Sequence, residues 1–176
     1  MSIKNQTFDL IYDYALFRLH NSEVKKNKLG NFPLPNPSYL AKKMRYLVHK
    51  FSGDVTTWHQ LTDQRDFSIS NFEEFVATVQ SGFDDCQIDA QFIYAYVEYL
   101  GICAVCAVST SIFGANVKDI CQYGAEYLCN STKFMKFLFQ ENGWEGFLNR
   151  QYSKKKCGQV GMFKQWLQVL NNQECL

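Results

Sequence analysis

Apolar residues at Phe8, Ile11, Tyr12, Ala15, Leu16 and Leu19 recur three and four positions apart. That is the period of one helix face, and it predicts an amphipathic helix over 6–20. A polar stretch follows over 21–37, where Pro33, Pro35 and Pro37 exclude helix through their locked φ and missing N–H. Ser38 offers an N-cap to a second helix over 39–51, with Leu40, Met44, Leu47 and Phe51 along one side. A short helix is predicted over 55–64. Ser70 and Glu73 have the spacing of a capping box for a further helix that ends near Phe83. Residues 88–109, "IDAQFIYAYVEYLGICAVCAV" and the residue after it, are apolar nearly all round, the mark of a buried helix. Helices over 116–130, 132–141, 144–152 and 159–171 complete the set, with Asn142-Gly143 ending one and Trp144 starting the next. β-branched alternation and internal repeats are absent. The expectation is one all-α domain over 1–176, a globular bundle of eight or nine helices around one apolar helix.

Composition adds that the core is substantial: of 176 residues, 47% are apolar and 16% aromatic, which is globular rather than disordered. A net charge of +1 provides no basic field for nucleic acid, so no nucleic-acid partner is expected. The charges are segregated. Between Asp66 and Val117 there is no Lys or Arg, while Asp66, Glu73, Glu74, Asp84, Asp85, Asp89 and Glu98 all fall there. Seven cysteines, an odd number, do not form a disulfide framework. The opening "MSIKNQTFDL" has no secretory core, so the sequons at Asn5 and Asn130 are expected to be unused. The longest apolar run, Ile102 to Val108, is too short to span a bilayer, and the amphipathic end "GMFKQWLQVLNNQECL" is no membrane anchor. A cytoplasmic, soluble protein without integral membrane insertion is the expectation.

Candidate chemistry is sparse. Cys103 and Cys106 form a CxxC inside "GICAVCAV" with no second pair, a setting for small core residues rather than metal or redox work. His20, His49 and His59 share no ligand spacing. Asp84, Asp85 and Asp89 lack the glycine pattern of a calcium loop and read as a solvated helix end. The basic run in "YSKKKCG" reads as a solvated loop. No phosphate loop, dinucleotide fingerprint or nucleophile elbow occurs. The expectation is a protein that is no enzyme and uses no metal or cofactor. An apolar central helix, amphipathic neighbours and many aromatics compose a groove for a helical ligand.

Two stretches carry a resemblance. "ENGWEGFLNRQY" places Asn142, Gly143, Trp144, Glu145 and Phe147 as in the second homology region of the Bcl-2 family, with one glycine of the usual pair missing. "FDDCQIDAQFIYAYVEYLGICAVCA" is similar to that family's first homology region and central helix, through Phe83, Asp85 and the run Tyr96 to Cys106. The helix order agrees along nearly the whole chain. The resemblance implies a Bcl-2-like fold in which Asn142, Gly143, Trp144 and Phe147 are structural. It implies a ligand groove over 39–96 with Phe92 and Tyr96 as floor and Met44, Leu47, Phe51, Phe72, Val76, Val79 and Phe83 as walls.

One departure is large. Where the family carries Asn-Trp-Gly-Arg, this chain has Asp89, Ala90, Gln91 and Phe92. The arginine that pairs with the Asp of a bound BH3 helix is gone, and such a charge-assisted pair is worth about 1.5–3 kcal/mol. Asp89 or Gln91 would face that Asp instead. In the second helix, His49 stands where a BH3 helix has its Asp, so a groove wall is expected there rather than a free ligand. The resemblance thus implies an anti-apoptotic protein that sequesters BH3-containing pro-apoptotic proteins with narrow selectivity. Its compact loop and degenerate motif resemble virally encoded members. An open groove would leave apolar surface for a homodimer, and its partners would bring it to the mitochondrial periphery. The alternative is a closed groove and a helix face that binds signalling adaptors of innate immunity.

Overall fold

A computed structural model describes residues 1–22, 24, 26–53, 72–83, 86–109 and 116–154. Among them every regular element is helical. They form α1 (Ile3–His20), a single turn α2 (Lys26–Leu29), α3 (Tyr39–Gly53), α4 (Phe72–Phe83), α5 (Ala90–Ser109), α6 (Val117–Asn130), α7 (Thr132–Gln140) and α8 (Gly143–Lys154). That is seven helices of nine residues or more plus one turn. The helices expected over 55–64 and 159–171, and the cap at Ser70, lie outside the described residues.

Caps set most of the boundaries. Ser2 Oγ accepts from the Asn5 N–H at 3.2 Å, so α1 begins ahead of its apolar stripe. Ser38 Oγ accepts from the Ala41 N–H at 3.2 Å, starting α3 where the proline loop ends. Asn116 and Asp119 form a capping box on α6, and Ser131 caps α7 through the Phe134 N–H at 3.3 Å. Each side-chain oxygen satisfies an amide that the first turn leaves without a partner.

α5 is the centre of the bundle. It packs on α1, α3 and α6, α1 also lies along α6, and α8 covers α3. Everything from Phe92 to Ala104 in α5 is buried. Taken whole, Ala90–Ser109 is long and apolar enough to cross a membrane, which the shorter run Ile102–Val108 did not indicate, yet 72% of the apolar window lies inside the protein. Cys103 is in this core, and burial pushes its thiol well above the usual range.

Two polar clamps tie α1 to its neighbours. Glu98, fully buried on α5, accepts from Arg18 Nε at 2.9 Å and from the Tyr14 hydroxyl. The stretch without Lys or Arg therefore draws its cation from α1. Asp13 accepts two bonds from Arg45 of α3, at 2.8 and 2.7 Å, and Arg45 also reaches the Pro35 carbonyl at 3.2 Å. That second clamp fixes the proline loop against the bundle.

α5 and α6 approach closely at Gly124. A Cβ there would lie 2.5 Å from Leu100 Cδ1. Gly124→Ala is expected to destabilise by about 1–3 kcal/mol through overpacking, with Leu100→Val recovering part of the loss in urea titrations. An unchanged midpoint for Gly124→Ala would show that the two helices have room to part.

Candidate functional site

The start of α5 gathers Asp89, Gln91, Phe92 and Tyr96. Asp89 Oδ1 accepts from the Phe92 N–H at 2.8 Å, so this carboxylate caps the central helix. Among the described residues, the buried Gln91 Oε1 has no hydrogen-bond partner. Phe92 and Tyr96, one turn apart, stack with ring centroids 5.9 Å apart. The Tyr96 hydroxyl donates to the Gly124 carbonyl at 2.6 Å, and burial holds its pKa well above the usual phenol value.

Phe92 and Tyr96 line an open pocket of about 310 Å³, walled by Ile88, by Tyr127 and Leu128 of α6, and by the turn Asn130–Lys133. The geometry of a helical hairpin explains this. α5 and α6 run back along each other, so the start of α5 lies beside the end of α6 and the first turn of α7. Tyr127, Leu128 and the turn Asn130–Lys133 were not groove candidates from sequence. Their signal was the Asn130-Ser131 break, legible as a helix boundary but not as a pocket wall.

The other candidates lie elsewhere. Tyr94 is two residues from Phe92, about 200° around the helix, and faces the opposite side. There it meets Phe51 of α3 at 5.6 Å and Phe147 of α8 at 6.2 Å. Met44, Leu47 and Phe51 are 0–3% exposed; α3 packs on α1, α5 and α8, and none of the three lines the Phe92–Tyr96 pocket. Val79 is buried, while Phe72 and Val76 pack half-buried on the core. Phe72 of α4 meets Tyr123 of α6 at 6.0 Å. Phe83 belongs to α4, but its side chain lies outside the described residues, as does Asp85. The structure therefore brings Phe92 and Tyr96 together and sets the α3 residues on the far side of α5.

Around the Asn-Gly break, Asn142 and Gly143 both take left-handed φ, 62° and 78°. This lets α8 restart at once, and Gly143 suits that region without strain. Gly146, three residues on, abuts the Glu141 carbonyl so closely that a Cβ would clash. Trp144 is 1% exposed; its indole N–H donates to Thr7 Oγ1 at 2.7 Å. Its ring meets Phe134 at 5.8 Å and Phe147 at 5.9 Å. These residues close one end of the bundle.

Comparison of the chain with family models, with curated proteins and with solved structures finds no match.

Proposed function

We propose that this protein is a Bcl-2-like, anti-apoptotic binding module that sequesters BH3 helices of pro-apoptotic partners in the cytoplasm. The observation that carries the reading is the pocket at the start of the buried central helix, floored by Phe92 and Tyr96. Phe92 and Tyr96 are the two residues that the resemblance to the Bcl-2 family implies as groove floor, and this supports the reading, although the pocket's walls come from α6 and α7. A pocket of this size accepts one or two apolar side chains of a helix, a gross gain of about 1.5–6 kcal/mol. Ordering a disordered peptide offsets about 2–5 kcal/mol. So thin a margin favours only ligands with a close apolar fit, which is the narrow selectivity expected from the missing arginine.

Titration with a panel of BH3 peptides tests this. A few are expected to bind, and Phe92→Glu is expected to abolish that binding; because Phe92 is buried, the variant is compared at equal folded fraction by helical circular dichroism. Phe92→Ala, a milder change, is expected to weaken the same complexes about tenfold or more. Uniformly tight binding across the panel would contradict the narrow selectivity.

Burial of Met44, Leu47 and Phe51 favours a second reading, in which the groove is closed and a helix face binds a signalling adaptor. Complete absence of BH3 binding would select it.

A further inference from the structure

We infer that the partner helix recognised at this site is acidic and amphipathic, and that Lys133 and Lys136 of α7 supply the charge that selects it. The inference rests on the helix-binding reading and specifies the partner's chemistry.

The Phe92–Tyr96 pocket has a neighbour. A second opening of about 490 Å³ is lined by Ile88, Lys133, Lys136, Phe137 and Gln140, among others. Ile88 and Lys133 line both, so the two adjoin along α7. Lys133, Lys136, Phe137 and Gln140 fall at i, i+3, i+4 and i+7, one face of that helix. Phe134 and Leu138, on the other face, are fully buried. α7 thus holds itself to the core by one side and presents the other to the openings. Its nine residues run about 13 Å, enough to face some two and a half turns of a partner helix.

Both lysines are exposed, and among the described residues neither makes an ion pair. Asp89, the acid next to Ile88 in sequence, accepts from the Phe92 N–H and keeps its charge at the start of α5; Asp84 and Asp85 lie outside the described residues. With a net charge of only +1 on the whole chain, this basic rim is a local feature. Apolar floor from Ile88, Phe92 and Phe137 plus a basic rim complements a helix with one apolar stripe flanked by Asp or Glu.

Rim charges act mainly on association rate and salt dependence, and each exposed pair contributes little on its own. The experiment is stopped-flow and equilibrium binding of BH3 peptides, each paired with a version whose acidic residues are changed to Lys. Wild type is compared with the double variant Lys133→Glu and Lys136→Glu, whose exposed positions leave folding intact. The expected result is an association rate about tenfold lower for the double variant at low salt, with dissociation little changed. Lys-bearing peptides recover affinity for the double variant, and added salt weakens the wild-type complex. Phe92→Ala acts on dissociation instead. If peptides bind but charge reversal and peptide swap have no effect, the inference is overturned and the helix-binding reading stands. If no peptide binds the wild type, both fall together. If anionic phosphatidylserine vesicles bind in a Lys133-dependent way while peptides are indifferent to it, the face is a membrane surface and the inference is overturned.

Discussion

Arg18→Met is expected to destabilise the protein by about 3–5 kcal/mol, the cost of leaving a buried charge without its partner. Glu98 is fully buried, and the Arg18 side chain is 17% exposed. Water therefore replaces the guanidinium poorly once it is gone. Methionine keeps the apolar stem, which lies against Gly101 where a Cβ would sit 3.2 Å from Arg18 Cγ, so lost packing does not dominate. The Tyr14 hydroxyl remains on the carboxylate, but one neutral donor does not compensate a charge. Burial, followed by the adjacent carboxylate, pushes the Tyr14 phenol well above its usual pKa, so it stays protonated as a neutral donor. Adding Glu98→Leu to Arg18→Met removes the orphaned charge but takes the acceptor from the buried Tyr14 hydroxyl, a cost of about 1–3 kcal/mol, so it is expected to recover only part of the loss; Tyr14→Phe added to both is expected to recover most of the rest. Urea denaturation of the single, double and triple variants measures these values. A single-variant loss under about 1 kcal/mol would mean that water reaches Glu98 and that the clamp is not buried in solution.

Trp144→Ala is expected to cost about 3–5 kcal/mol, as for other buried large-to-small changes. The indole fills the space between Phe134 and Phe147 and supplies the donor for Thr7 Oγ1. Trp144→Phe separates the two contributions: it keeps most of the ring packing and loses the bond to Thr7, for an expected cost of about 1–3 kcal/mol. Peptide affinity per folded molecule is expected to be unchanged in Trp144→Phe, because this residue closes the end of the bundle and does not line the Phe92–Tyr96 pocket. Thermal unfolding by circular dichroism and a peptide titration of the same sample check both statements. A folded Trp144→Phe that loses binding would place the residue in the binding machinery.

The helices were largely legible in the sequence because their signals are local. Ser38, the proline loop, the apolar run of α5 and the Asn142-Gly143 break each act within one or two turns, and the observed boundaries follow them closely. The structure extended α1 back to Ile3 through the Ser2 cap and added a capping box at Asn116. Polar partners were not legible. Nothing near Glu98 in the chain announces Arg18, eighty positions away, and nothing near Thr7 announces Trp144.

The same division runs through the candidate site. From sequence, Met44, Leu47, Phe51, Phe92 and Tyr96 are equally apolar and equally suited to a groove. Periodicity tells which side chains share a face of one helix; it does not tell which neighbour that face meets. Tertiary packing turned Tyr94 toward α3 and α8, and turned Phe92 and Tyr96 toward the end of α6, where Lys133 joins them. The sequence by itself determined an all-helical bundle around α5, because helix period, caps and apolar burial are encoded over a few residues. Only the tertiary structure decided that the open pocket lies beside α7 rather than α3, because that depends on how rigid helices pack across long separations in the chain.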